Sequence, residues 1–267
     1  MEKIGLIAGN RRFPLFLAEA AKKKGFYIVA VAIKGETTVS LCRYVDKIYW
    51  LSLSDFRRCI EIFKSEGITK LVMAGQVSPR RLFTKEIDKS SDLREILVAL
   101  KDKRADSIFG AIAEKLEEKG LALIDSTLFL KDLLPQKGIL TQKQPDFSTW
   151  EDIYFGWELA KEIAFLDIGQ TVAVKDKAIV AVEALEGTDN LIRRAARIAG
   201  SGITIVKVAK PRQDSRFDIP VVGLTTIKNL IKIRARCLAL EAGKTLFLDQ
   251  KKGKALAEKK GLIIVAV

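Results

Sequence analysis

Short, β-branched apolar runs alternate with helix-period segments along most of this 267-residue chain, and that alternation limits the fold more than any other feature. In the first half the runs fall at residues 3–8, 27–33, 45–50, 70–74 and 121–124. Between them lie helical segments from Pro14 to about residue 24, over 55–65 with Phe56, Ile60 and Phe63 on one face, and over 106–119. Strands separated by helices return in the same direction, so the chain opens with a Rossmann-like parallel sheet. Ligands bind such sheets beyond the carboxyl ends of the strands, which places the turns at 9–12 and 75–78 on one rim. Gly9, Asn10, Arg11 and Arg12 ahead of Pro14 have the layout of a mononucleotide-binding turn, with backbone N–H groups facing a phosphate. The glycine fingerprint is incomplete, since only Gly5 and Gly9 stand in the segment, and arginine charge would replace part of the dipole attraction. Gly9, Asn10, Arg11, Gly75, Gln76 and Ser78 are therefore the candidate substrate-binding residues of this half. Residues 85–94 read as a charged, mobile region, and Asp125, Ser126 and Thr127 as the cap of a short helix at 128–134.

Residues 135–148, with two prolines, two glutamines and little apolar periodicity, read as a linker between domains at 1–134 and 149–267. The second domain is expected to be mixed α/β. Its helix at 150–165 carries Trp150, Ile153, Tyr154 and Trp157 as a broad apolar surface, and a hairpin at 171–174 and 178–182 follows. Strands at 203–208, 221–223, 245–248 and 262–267 then alternate with helices at 225–242 and 251–259. The fold class is α/β in two domains.

Chemistry concentrates in one stretch, DIGQTVAVKDKAIVAVEALEGTDNLIRR, residues 167–194. Its hairpin runs into Glu186, Gly187, Thr188 and Asp189, then into a helix whose first turns carry Arg193 and Arg194. Strand, glycine turn, cap and basic turn gather carboxylates, a hydroxyl and free N–H groups, which is how a cation and a phosphate are collected together. An ordinary helix cap beside a solvated arginine pair would leave the same letters. Further on, Lys210 to Phe217 form a loop too charged for a core. It ends at Asp218, two residues from Arg216, which would keep that carboxylate ionised.

The chain has no histidine, which excludes imidazole bases, Ser/His and Cys/His nucleophile pairs, and imidazole zinc sites. Any chemistry falls to carboxylates and lysines, with a hard cation such as Mg²⁺ that takes oxygen ligands. Cys42, Cys59 and Cys237 have no CxxC spacing, which suits a reducing, cytoplasmic setting. There is no signal-peptide pattern and no run of apolar residues long enough to span a bilayer, so membrane contact is expected to be peripheral. The formal charge of +13 implies acidic partners: nucleic acid, an anionic membrane surface or phosphorylated substrates.

Several stretches are similar, in order, to one family: GLIAG with Pro14, AGQVSP at 74–79, Lys103 to Asp106, DIGQ with the hairpin ending VEALEGTD and the arginine pair, and AKP…DIPVVG over 209–223. Together they closely resemble the LpxI-type UDP-2,3-diacylglucosamine pyrophosphatases of lipid A synthesis. Asn10 and Arg11 depart from that pattern, which has small residues there. The resemblance implies Mg²⁺-dependent hydrolysis of a lipid-linked UDP-sugar to UMP and 2,3-diacylglucosamine 1-phosphate at the inner membrane surface. Asp218, at the family's DxP aspartate, would hold the metal with Glu186 and Asp189, one of the three acting as base. Asp106, Gln170, Thr188, Arg193, Arg194 and Lys210 would bind substrate. A homodimer is compatible with this reading. The alternative is a nucleotide- or RNA-binding module without catalysis. Against nucleic acid stands the absence of an RNP-like aromatic string, a zinc pattern or a KH loop.

Overall fold

The computed structural model describes residues 1–78, 80–81, 91–102 and 104–267, and separates the chain into two compact units. Pro79, Lys103 and residues 85–90 of the charged stretch lie outside the described residues. Unit one comprises Met1–Lys131 and Asp214–Asp218, and unit two Asp132–Gln213 and Ile219–Val267.

Unit one holds β1 (Lys3–Ala8), α1 (Phe13–Lys23), β2 (Tyr27–Ile33), β3 (Lys47–Leu51), α2 (Phe56–Ser65), β4 (Lys70–Ala74), α3 (Ser91–Ala99), α4 (Ala105–Glu118) and β5 (Ala122–Leu123). The strands form one parallel sheet in the order β3-β2-β1-β4-β5. This is the Rossmann-like sheet that the strand–helix alternation predicts. Gly5, in the central strand, leaves room for the core: a Cβ there would come within 2.2 Å of Leu71 and 2.9 Å of Phe63. α2 presses Phe56, Cys59, Ile60 and Phe63 onto the sheet, the spacing of one helical face. Residues 91–94, expected in a mobile stretch, open α3 instead, and the short helix expected at 128–134 is reduced to a single 3₁₀ turn, Lys131–Leu133.

Unit two contains β6 (Gly138–Ile139), α5 (Phe147–Phe165), β7 (Thr171–Lys175), β8 (Ala178–Val182), α6 (Thr188–Ala199), β9 (Thr204–Lys207), β10 (Val221–Val222), α7 (Leu224–Lys232), β11 (Cys237–Leu240), β12 (Leu246–Phe247), α8 (Gln250–Lys260) and β13 (Ile263–Ala266). Six strands make a mixed sheet, β6-β13-β11-β9-β7-β8, with β13, β11 and β9 parallel and the flanking pairings antiparallel. Alternate residues face opposite layers, as strand geometry requires. Val172, Val174 and Val206 pack under α5, whereas Ala173, Ile205 and Leu238 pack under α6 and α7. Gly156 brings α5 close, since a Cβ there would lie 2.6 Å from Val174. Asp146 caps α5 by accepting from the Thr149 N–H at 2.8 Å.

Two features of unit two also differ from the sequence reading. The helix expected over 225–242 is α7 followed by β11, because Arg234 takes φ 53° and turns the chain back into the sheet. Part of the expected linker, Gly138–Ile139, pairs with β13 and so belongs to the sheet of unit two. No helix among the described residues is long and apolar enough to cross a membrane.

Candidate active site

In unit two, several buried charges gather where β9 ends. Antiparallel register sets Thr171 of β7 opposite Lys207 of β9. Glu183, just past β8, donates its N–H to the Thr171 carbonyl at 2.9 Å. Gly187, at φ 78°, then turns the chain into α6, a conformation that a side chain would resist. Thr188 thereby opens α6 beside Lys207. Lys207 Nζ donates to Thr188 Oγ1 at 3.0 Å and to Thr171 Oγ1 at 3.1 Å, and stands 3.6 Å from Glu183 Oε2. The Thr188 hydroxyl has one proton, which it gives to Glu183 Oε1 at 2.8 Å, so its rotor is fixed. Lys207 is 5% exposed, and an ammonium so far from water is stable only with such partners.

The next turn of chain extends this cluster. Lys210, also buried, pairs with Asp167, which adopts the left-handed conformation at φ 55°. Gly169 lies against the Glu183 backbone so closely that a Cβ would come within 2.1 Å of its carbonyl oxygen. Gln170 accepts the Val208 N–H on its carbonyl at 2.9 Å. Glu241 accepts from the Ala209 N–H at 2.8 Å and pairs with Lys161 and Lys244, each at 2.8 Å. Burial pushes the Glu241 carboxyl up, but the ammonium groups and the amide outweigh it and hold the carboxyl below its usual value.

Glu186, in the turn before α6, forms an ion pair with Arg194 of the helix, and Arg194 also donates to the Val182 carbonyl at 2.7 Å. Burial raises the Glu186 carboxyl, and the Arg194 guanidinium together with the backbone N–H groups of Glu186 and Ala184 more than offsets that, leaving it below its usual value. Arg193 donates to the Asn190 side chain at 2.7 Å. Glu186, Asn190, Arg193, Arg194 and Arg197 line an open groove of about 550 Å³. Asp189 faces the other way: it is buried, and its Oδ1 accepts from Thr226 at 3.1 Å, tying α6 to α7.

In unit one the turns after β1 and β4 meet on one rim, as expected. The Gly9 N–H donates to the Ala74 carbonyl at 2.8 Å and the Asn10 N–H to the Gln76 carbonyl at 2.7 Å. A Cβ on Gly9 would lie 2.4 Å from Gln76 O, and one on Gly75, at φ 87°, 2.5 Å from Asn10 O. Arg11 takes φ 65°, and the Ser78 carbonyl accepts the Arg81 N–H at 2.9 Å. The Asn10 amide donates to Glu36 at 2.6 Å, so Glu36 joins this rim although nothing in the sequence singles it out. Asp106 sits in the first turn of α4.

Asp218 closes the Asp214–Asp218 excursion that belongs to unit one, where its N–H donates to the Asp214 carbonyl at 3.0 Å. Arg216, expected beside it, grips Asp214 at 2.7 Å and Glu117 at 2.8 Å. Ser126 fastens the same segment by donating to the Ser215 carbonyl at 2.8 Å. Glu186 and Asp189 stand in unit two with their own partners, and among the described residues no three acidic or cysteine side chains converge at metal-holding spacing. Glu183 Oε2 and Asp167 Oδ2 are buried without a hydrogen-bond partner, but the Lys207 and Lys210 ammonium groups already pair with those two carboxylates.

Family models for the LpxI N-terminal domain and the LpxI C-terminal domain match residues 3–133 and 136–265. The chain belongs to the LpxI family. It is 27% identical over 278 residues to the UDP-2,3-diacylglucosamine pyrophosphatase LpxI of Caulobacter vibrioides, covering 100% of this chain and 98% of that protein. Solved structures match less closely. The biotin carboxylase domain of a thermophilic 2-oxoglutarate carboxylase is 15% identical with a TM-score of 0.30, covering 65% of this chain and 35% of that one. An ADP complex of N5-carboxyaminoimidazole ribonucleotide synthetase is 14% identical with a TM-score of 0.30, covering 73% and 34%. The LpxI chain thus spans about a third of the length of these structures.

Within the LpxI chain, sequence reasoning named Thr188, Gln170 and Lys210 but missed Lys207, Glu183 and Glu241 as site residues. Lys207 closes β9 after Ile205 and Val206, and Glu183 directly follows the apolar β8; a charge closing such a run is the signal that would have found them.

Proposed function

We propose that this chain hydrolyses the diphosphate bond of UDP-2,3-diacylglucosamine in lipid A biosynthesis, releasing UMP and 2,3-diacylglucosamine 1-phosphate with Mg²⁺. The full-length likeness to a pyrophosphatase of that substrate supports the reading. The observation that carries it is the Lys207–Thr188–Glu183 network at the start of α6, which offers an oriented hydroxyl and a desolvated cation at a helix N-terminus. Asp218 is proposed as a Mg²⁺ ligand, and the ion when bound would neutralise charge at phosphorus; Glu186 and Asp189, turned to Arg194 and Thr226, are not carried over as ligands beside it.

The rest falls to the chain. Lys210, Arg193 and Arg194 bind the phosphate oxygens, with the two arginines supplying planar donor pairs. Glu183 keeps the Thr188 hydroxyl turned, and Lys207 stabilises negative charge developing nearby. Within unit one, Gly9, Asn10, Arg11, Gly75, Gln76, Ser78 and Asp106 are proposed as substrate-binding residues, with Gly9 and Gly75 letting the two turns of the rim approach closely. The enzyme is proposed to work in the cytoplasm, held peripherally to an anionic membrane. Release of UMP from the lipid nucleotide tests the reaction, and a chelator arm tests the metal. UMP should appear with Mg²⁺ and stop with excess chelator. Salt-sensitive RNA binding without UMP release would overturn the proposal.

A further inference from the structure

Large apolar side chains stand exposed directly around the buried charges of unit two. Phe165 ends α5, Leu166 caps it and Ile168 follows; they are 62%, 57% and 48% exposed, on either side of the half-buried Asp167. Leu185 is 58% exposed two residues beyond Glu183. Gly169 packs on the Glu183 backbone, so the two apolar segments adjoin. The collar continues into the arginine groove through Glu186 and Arg194, which reaches back to the Val182 carbonyl. Arg197, on the same helical face, lines that groove too.

Exposed apolar tips next to a row of guanidinium groups match one kind of surface, acyl chains beneath anionic headgroups. We propose that this collar, Phe165, Leu166, Ile168 and Leu185 with Arg197 beside them, is the face that enters an anionic lipid bilayer, so that the buried charges of unit two open at the membrane. The choice of a bilayer over a protein partner rests on the proposed lipid substrate. The docking itself does not need that substrate to be detected.

The test is co-sedimentation of the purified full chain with phosphatidylcholine vesicles, with and without phosphatidylglycerol, and with no substrate present. The wild type should pellet with the anionic vesicles. Leu166→Ser/Ile168→Ser should lose about tenfold in partitioning, since two exposed apolar side chains no longer enter the bilayer. Arg197→Glu should weaken binding at low salt and resemble the wild type at high salt. All the altered residues are exposed, and matched circular dichroism melts check that folding is kept. Hydrolysis of a short-chain, detergent-soluble substrate should be unchanged in Leu166→Ser/Ile168→Ser, while hydrolysis on vesicles falls. If both variants bind vesicles as the wild type does, or if the collar instead mediates self-association seen by analytical ultracentrifugation, the proposal is overturned. Loss of vesicle binding with no hydrolase activity in any form would leave the collar standing and overturn the enzymatic reading.

Discussion

Lys207 Nζ lies 3.0 Å from Thr188 Oγ1, and that hydroxyl in turn donates to Glu183 at 2.8 Å, so a buried cation and a buried carboxylate share one hydroxyl at the start of α6. Removing one charge of such a pair strands the other. Glu183→Gln should therefore lower stability by about 3 kcal/mol, read as a fall in the denaturation midpoint. Glu183→Gln/Lys207→Met should recover part of that loss, because no lone buried charge remains. A double variant weaker than the sum of the single changes would contradict the coupling.

Glu241 links acid stability to the same end of the sheet. Its folded carboxyl lies below the ordinary value of 4.5, so it binds a proton less readily than in the unfolded chain. That difference stabilises the fold above pH 4.5 and is lost as the pH falls through the lower, folded value. Chemical denaturation of the wild type should show this loss. Glu241→Gln should be less stable at neutral pH and show a shallower acid slope, and parallel slopes would remove Glu241 from the account.

Asp218 separates a metal ligand from an anchor. Asp214, Arg216, Glu117 and Ser126 hold its segment. A metal ligand acts mainly in the transition state, so Asp218→Ala should lower kcat by about a hundredfold or more with KM little changed, and its melting temperature is measured on the same preparation. A lowered melting temperature with normal kcat per folded molecule would make the residue structural.

The Rossmann-like sheet was legible because its strands are bounded by glycine and proline turns, and the meeting of Gly9 and Gly75 followed from strand direction alone. β11 was not. Its apolar residues continue the helical spacing of α7, and the break falls at Arg234, a residue type that seldom takes positive φ and so gives no signal. The site was half legible. Thr188 and Lys210 stand in polar stretches, whereas Lys207 closes β9 and Glu183 directly follows β8, and both acquire meaning only through the Thr171–Lys207 register. Asp189 reads as a first-turn carboxylate, yet helical phase turns it towards Thr226.

The most direct test is the steady-state rate of UMP release from UDP-2,3-diacylglucosamine by Lys207→Met, normalised to folded protein and set beside the wild type. Methionine fills much of the space and keeps the stem but removes the charge that the Thr188 hydroxyl faces. The account predicts active wild type and a kcat lowered by about a hundredfold or more in the variant, with KM changed little. A kcat within about twofold of the wild type, in a variant shown to be folded, would contradict it.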